Sequence, residues 1–580
     1  MNIKKVNSLP THQLKYPSFE VVLKLKDVLL ARKTYLKIKN ISNDLEEIKY
    51  QFTSVEEESE IISLLINYFQ SKAGFSVYQL SKFFIENDTV RFYIPTPNIL
   101  EALEVYLYKS IFKLLYSNNI EKDYLILLNW LKDNKKYINP MSNTPHLIKA
   151  AIELGIPFWR VNTDVILFGY GRNSIWNRST ASEHTSTTAV FIARDKFLCG
   201  KILSSAGIPV APKIRFTNKL NLSKFVNDIG YPFVVKPANL DGGRNVYVNI
   251  HNEHDLINAI KNVQKVTNNV LVEKHILGSD TRCQVIDGKV VWTIKRTPAF
   301  VIGDGKNTII KLIENENENR KISISNNSSY GLIQINDDLH KTLSKQQLEI
   351  SDTPAKGQFV ALSFISNVSS GGLPEVIKNV HPDNIDLVEN AVSLLSLNTA
   401  GVDLIIPNPS VSYKDNGGVI CEINAIPQFG SISHKHLYHE YLNKNVNNFG
   451  KIPIILCLGN INNNFLINEL VDLAGVNEIN IAIITINNEN KNAYLKMLHS
   501  ELIKKSVAAI VISICDFDII EKSWGVSEFD YLIVSDNYPD FDYIQLYNAK
   551  YKLTKKLLKY SACLEYSPLY FYNKIFELRG

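Results

Sequence analysis

Hydrophobic positions along the chain switch between a period of two and one near 3.6, and the switches predict a succession of strands and helices. Residues 1 to about 140 alternate strand-like runs, SFEVVLKL and TVRFYIP, with amphipathic runs, ESEIISLLINYFQSKAG and ILEALEVYLYKSIFKLLYS. PHLIKAAIELGIPFWRVN then predicts a helix, a Gly-Ile-Pro turn and a strand, and the same grammar returns in RDKFLCGKILSSAGIPVAPKIRF. From 231 the pattern becomes strands separated by glycine turns: YPFVVKPANLDGGRNVYVNI, then NNVLVEKHILGSDTRCQVIDGKVVWTIKRTPAFVIGDG, with DG and GD as turn dipeptides of hairpins. The polar Asn/Glu-rich stretch 314–330 reads as a loop or short linker. A helix near 383–396 and two strands, TAGVDLIIP and GGVICEINAIP, follow it. Between 450 and 580, IPIILCLG, INIAIITI, VAAIVISI and DYLIVSD alternate with helical segments in a Rossmann-like layout.

Length and composition change this picture little. A chain of 580 residues exceeds one compact core, and about three or four structural units are expected at roughly 100 to 200 residues each. With 63 basic and 58 acidic residues the net charge is +5, too small and too dispersed to point to nucleic acid. Six cysteines (Cys199, Cys283, Cys421, Cys457, Cys515, Cys563) are scattered without a CxxC pair, so neither a disulfide framework nor a zinc site is expected. The first twenty residues lack an apolar signal core, and no run reaches about 18 apolar residues, so a cytoplasmic protein without membrane spans is expected.

Three constellations carry candidate chemistry. Lys236 ends an apolar strand ahead of Asp241-Gly242-Gly243-Arg244, where glycines let backbone amides approach phosphate oxygens and a lysine supplies a point charge. Asp403 in AGVDLI, with Glu422 and Asn424 at period two in CEINAIP, offers two carboxylates and an amide on neighbouring strands, a donor set suited to Mg²⁺. Between them lie Glu273, Lys274 and His275 in LVEKHI, Asp280 and Arg282 in GSDTRCQV, and Lys295 and Arg296 in TIKRTP; the arginines can clamp a carboxylate or phosphate.

The ordered phrases ELGIPFWRVN, HTSTTAVFIARDK, AGIPVAP, GYPFVVKP, DGGRNVYV, VEKHILGSDTR, RTPAFVIGDGKNTI, SNVSSGG, HPDN, AGVDLI and EINAIP, from about 147 to 430, resemble the ATP-grasp ligases. The resemblance is nearer to the amino-terminal ligase half of cyanophycin synthetase and the related glutathione-synthetase module. It implies an α/β and α+β multidomain chain whose ATP-grasp fold, two α+β lobes, is flanked by an N-terminal α/β domain and a C-terminal Rossmann-like domain. The implied divisions are 1–145, holding substrate or polymer, 146–445 as ligase core, and 446–580. It further implies ATP and Mg²⁺, two ions in such enzymes, amino-acid or peptide substrates, and a homo-oligomer. Residue by residue, Lys196, Lys236, Gly242, Gly243, Arg244, Glu273, Lys274, His275 and Asp280 would bind ATP. Arg282 and Arg296 would be catalytic, facing the transferred phosphoryl group, and Asp403, Glu422 and Asn424 would hold metal. Asn367, Ser370, Gly371, Gly372, Ile426 and Gln428 would line the substrate pocket.

Departures limit the transfer. Ser363 and Ile365 stand where the cyanophycin group tends to have Arg and Asn, and NAIPQF replaces NAGPG, so Ile426, Gln428 and Phe429 take the place of small residues. The acceptor pocket therefore reads as remodelled. At the carboxy end, GKIPIILCLGNINNNF stands where that group begins a Mur-ligase-like half with a phosphate loop of the form GTNGKTT. Asn463 replaces its lysine, and Asn464 and Phe465 its hydroxyl residues, which implies a degenerate remnant. The reading is an ADP-forming ATP-grasp carboxylate-amine ligase working through an acyl phosphate. The alternatives are a polymer-extending ligase of the cyanophycin type and, from another class, a non-catalytic ATP-binding scaffold or pseudoenzyme. The sequence names neither the acid nor the amine.

Overall fold

A computed structural model describes residues 2–7, 18–42, 45, 54–73, 81–95, 101–138, 143–162, 164–240, 245–325, 331–364, 366, 368, 371–429, 435–458, 465–486, 493–514, 530–534 and 557–559. Its contacts form two compact units, one from Met1–Ser182 with Leu442–Gly580, the other from Glu183–Tyr441. Among the described residues no helix is long and apolar enough to cross a membrane.

Among its described residues the first unit contains three sheets. Strands Asn2–Asn7, Ser18–Lys24, Thr89–Pro95 and Lys82–Glu86 pair antiparallel in that spatial order. Period two on the central strands turns Phe19, Val21, Val90 and Phe92 toward helices Val55–Ala73 and Glu101–Leu115, whose Ile61, Phe69, Tyr108 and Phe112 complete one core. A second antiparallel sheet runs from Phe158–Arg160 through Val165–Phe168 and Ile175–Arg178 to Ala181–Ser182. The third is parallel, ordered Asn480–Ile486, Val507–Ile514, Ile454–Leu458, Tyr531–Val534, Leu557–Lys559. The Rossmann-like layout is thus observed, with Ile454–Leu458 central and helix Phe465–Val476 after it. Gly459, Asn463 and Asn464 lie outside the described residues.

The Gly169 and Gly450 backbones meet so closely that a Cβ on Gly169 would stand 2.8 Å from Gly450 Cα, while Tyr170 N donates to Gly450 O at 2.7 Å. Asn173 Nδ2 donates to Lys451 O at 2.6 Å, binding the same two segments.

In the second unit, Lys213–Arg215, Val270–Lys274, Phe233–Pro237 and Tyr247–Ile250 form a four-stranded antiparallel sheet. Phe233, Val235, Val270 and Val272 pack on Leu222 and Phe225 of helix Lys219–Ile229 and Leu256 and Ile260 of helix Glu253–Gln264. The alternate positions, Lys236 and Glu273 among them, therefore project from the opposite face. A five-stranded antiparallel sheet is ordered Leu373–Val376, Lys289–Thr297, Ser279–Ile286, Ala400–Ile406, Val419–Asn424. Its Cys283, Val285, Val402 and Leu404 pack on Leu387, Val388 and Ala391 of helix Pro382–Leu394. The IDGK hairpin is present, with Asp287 and Gly288 at φ 53° and 71°, the left-handed pair a two-residue turn requires.

One expectation fails: residues 314–325 are not a loop but the greater part of helix Ile309–Ser325. Ile309 and Ile313 bury one side of it, Arg320 Nε bonds Glu316 Oε1 at 2.8 Å one turn back, and Asn317 bonds both N and O of Ile333. Tertiary bonds to its polar residues override a composition that reads as a linker. Residues 326–330 lie outside the described residues.

Gly169→Ala combines a backbone at φ +86° with a Cβ pressed on Gly450, so a loss of about 2 kcal/mol or more is expected. Gly155→Ala, at φ +70° with nothing within 4 Å, is expected to cost only the left-handed strain of about 1 kcal/mol. Thermal melting of both variants checks the difference; equal shifts would show that the close approach contributes nothing.

Candidate active site

The polar face of the four-stranded sheet carries a buried charge cluster. Lys236 and Glu273 are near-neighbours on paired strands, and Lys236 Nζ donates to Glu273 Oε1. Lys213 Nζ lies 3.5 Å from the other oxygen, Oε2. Burial opposes charge on Lys236, but the Glu273 carboxylate hydrogen-bonded to it outweighs that and raises its pKa. Burial likewise works against the Glu273 carboxylate, and Lys236 and Lys213 outweigh it, holding its pKa below the usual range. One carboxylate thus serves two ammoniums, which leaves a net positive surface suited to an anion. Lys213 escaped the sequence reading, since APKIRF carries no motif; Gly200 admits it, a Cβ there standing 3.1 Å from the Lys213 stem.

The polar face of the five-stranded sheet carries the second cluster. Register sets Arg282 opposite Asp403, Asp403 opposite Glu422, Gly401 opposite Asn424, and Asp280 opposite Arg296. Arg282 Nη1 donates to Asp403 Oδ1 at 2.8 Å, and Arg296 Nη2 lies 2.9 Å from the same oxygen and 2.7 Å from Asp280 Oδ1. With the Asn424 amide oriented by its neighbours, its oxygen accepts from Arg282 Nη1 at 2.8 Å and its nitrogen donates to Glu422 Oε1 at 3.1 Å. Burial pushes the Asp403 carboxyl toward neutrality, but Arg282 and Arg296 overcome it and keep its pKa low. Burial, helped by the charge on Asp403, lifts Asp280 to about 6 despite Arg296.

Glu422 and Asn424 reach this face because of a bulge. Asp403 pairs with Glu422 but Leu404 with Ile420, so Cys421 is the extra residue. Ile420 and Ile423, three apart, both enter the core. The Cys421 sulfur comes 3.8 Å from Lys236 Nζ, and burial raises its thiol to about 11, so it stays neutral.

Lys196 begins helix Lys196–Ser205, whose N-cap Asp195 accepts from Phe197 N at 3.0 Å and Leu198 N at 3.1 Å. Its Nζ donates to Leu240 O at 2.9 Å and stands 3.5 Å from Glu422 Oε1. Lys196, Lys213, Cys199, Cys421 and Glu422 line one cleft. Lys274, by contrast, points elsewhere, donating to Gly230 O at 3.0 Å and Tyr231 O at 2.6 Å, and burial lowers the pKa of the half-buried His275. Gly371 O accepts from the buried Arg320 at 2.9 Å, a residue unnoticed in the sequence although Glu316 four positions earlier signals a helical pair. Ile426 and Gln428 are exposed, whereas Phe429 is fully buried against Tyr438 and Tyr441 and belongs to the core. Asp241, Gly242, Gly243, Arg244, Asn367 and Ser370 lie outside the described residues.

Among the described residues no group of three His, Cys, Asp or Glu side chains converges. Two carboxylates and an amide nevertheless match the few protein oxygens that Mg²⁺ takes when substrate phosphates and water complete its shell.

Two α+β halves presenting lysines from one sheet and an acid, amide and arginine cluster from the other have the organisation of an ATP-grasp ligase. Sequence comparison finds similarity to known ligases and their relatives. The family described as "D-ala D-ala ligase C-terminus" matches residues 202–321. The cyanophycin synthetase of Trichormus variabilis is 30% identical over 303 residues, covering 52% of this chain and 34% of that protein. A glutathione biosynthesis bifunctional protein of Enterococcus faecalis is 31% identical over 252 residues, 43% of this chain and 33% of that one. A solved bifunctional glutathione synthetase from Pasteurella multocida superposes with a TM-score of 0.37 at 21% identity, covering 57% of this chain and 46% of that chain. The matched region spans about a third of the length of the curated relatives.

Glu273→Gln leaves two ammoniums buried without their counterion and is expected to cost about 3 kcal/mol at neutral pH. Because the folded pKa of Glu273 is lowered, its contribution is full above the unfolded value of about 4.3 and fades as pH falls through the folded one. The stability gap between wild type and variant should therefore narrow below about pH 4. A gap constant with pH, in urea titrations across that range, would show that the carboxylate's charge is immaterial.

Proposed function

We propose that this chain is an ADP-forming, Mg²⁺- and ATP-dependent carboxylate-amine ligase that joins amino-acid-like substrates through an acyl phosphate. The observation that carries the proposal is the shared face of Arg282, Arg296, Asp403, Glu422 and Asn424, with Lys196 reaching Glu422 from the helix above. Lys196 and Lys236 attract the nucleotide phosphates, and the Glu273 carboxylate keeps the Lys236 ammonium charged. Asp403, Glu422 and Asn424 would hold the metal, which when bound supplies Lewis-acid neutralisation of phosphate charge. Arg282 and Arg296 neutralise negative charge developing on the transferred phosphoryl oxygens, fixed dipoles and charges acting more strongly where water is excluded. A substrate carboxylate takes the phosphoryl group, ADP leaves, and the amine displaces phosphate to form the amide. Assembly as a homo-oligomer, two metal ions, a cytoplasmic site and the division at 145 and 445 belong to the same proposal.

The similarity to cyanophycin synthetase favours one variant, a ligase that extends a polymer held by the N-terminal region. ADP release with Mg²⁺ across single amino acids and short peptides separates the two: turnover with single amino acids alone opposes polymer extension. Glu422→Ala is expected to lower ADP release at least about 100-fold, through loss of an oxygen that would hold the metal. Wild-type turnover in that variant would refute the metal assignment. Absence of ADP release with every mixture, together with no rise in melting temperature on adding Mg·ATP, would refute the ligase. Asn463→Lys should confer no ATPase activity on the C-terminal domain, since Asn464 and Phe465 still lack the hydroxyls; activity traced to that domain would show that its phosphate loop is intact.

A further inference from the structure

Arg282 reaches its partners by crossing a strand. It springs from Ser279–Ile286, yet it contacts Asp403 on the adjacent strand and Asn424 on the strand beyond. Two interstrand spacings are about 10 Å, near the full reach of an arginine, so the guanidinium has to lie flat on the intervening backbone. The backbone beneath it is Gly401. Gly401 pairs with Asn424, and it sits two residues from Asp403 on the same face. A Cβ built there would fall within the Arg282 guanidinium, 2.5 Å from its Nε. Backbone strain is not the reason for glycine here, because Gly401 has no positive φ and lies mid-strand, where alanine fits the backbone.

We infer that Gly401 is a positioning residue: its missing side chain is the seat that lets Arg282 bridge Asp403 and Asn424 and face the transferred phosphoryl group. The inference rests on the ligase reading for the role of Arg282, but the seat itself is a matter of packing. A methyl group at 401 lifts the guanidinium off the sheet, and Asp403 then retains Arg296 alone of the two. Since a guanidinium at the end of a flexible chain can swing aside, Gly401→Ala folds; what it loses is the aim of one charge.

Two measurements on the full chain test this. In the first, melting temperatures are compared for wild type, Gly401→Ala, Arg282→Ala and the double variant, without nucleotide. Gly401→Ala is expected to lower the melting temperature in the wild-type background and to leave it unchanged in the Arg282→Ala background; equal losses in both would overturn the seat. In the second, binding of Mg·AMP-PNP and Mg·ADP is measured by calorimetry for wild type, Gly401→Ala, Arg282→Lys and their double variant. Wild type is expected to prefer the triphosphate analogue. Gly401→Ala should hold Mg·ADP within about twofold while the preference falls about tenfold, the size of one charge-assisted hydrogen bond, and Arg282→Lys should show no further loss when Gly401→Ala is added. Retention of the preference in Gly401→Ala, or additive losses in the double variant, would overturn the positioning role. Failure of wild type to bind either nucleotide would instead sink the ligase reading and the role with it, whatever the melting temperatures show.

Discussion

A carboxylate buried in protein is tolerable only while cations face it, and on the five-stranded sheet that condition falls on Asp403. Unpaired, it would cost several kcal/mol or take up a proton. Arg282 and Arg296 meet one of its oxygens from the same neighbouring hairpin, and each has its own second partner, Asn424 and Asp280. The register of three strands, the glycine at 401 and the bulge at Cys421 can all be understood as the geometry that keeps those contacts simultaneous. A face held this tightly is preorganised, which is what electrostatic stabilisation of a transferring phosphoryl group needs.

The four-stranded sheet solves the complementary problem. There the carboxylate of Glu273 is shared by two lysines, so positive charge is in excess where the other sheet has acids to spare. Cys421 touches both arrangements: it is the bulged residue of one sheet and lies against the Lys236 ammonium of the other. Its thiol stays protonated, so it adds bulk and polarisability without adding charge.

That Glu422 and Asn424 share a side of their strand was legible because strand periodicity places residues two apart together, and an acid inside an apolar run needs a reason to be there. The partnership of Arg282 with Asp403 was not, since register between strands 121 residues apart is invisible in local pattern. Lys213 was missed because a lysine at the start of a three-residue strand looks like any solvent-facing one. Helix Ile309–Ser325 was missed because its run of Asn and Glu dilutes the apolar period, and its stability comes from Arg320 and Asn317 reaching segments outside the helix. Strands in the parallel sheet were easier, being continuous apolar runs such as VAAIVISI that are buried on both faces.

The meeting of Gly169 with Gly450 bears on how the chain comes together in time. Asn173 and Lys451 are joined by a hydrogen bond across 278 residues of sequence, and the whole of Glu183–Tyr441 is inserted between them. As the polypeptide leaves the ribosome, the inserted unit is complete and free to condense before the segment that the Gly169 turn packs against has been made. The antiparallel sheet from Phe158 to Ser182 must therefore wait with one surface uncovered. Contacts of such sequence separation demand closure of a long loop before they give anything back, and condensation of the inserted unit shortens that loop.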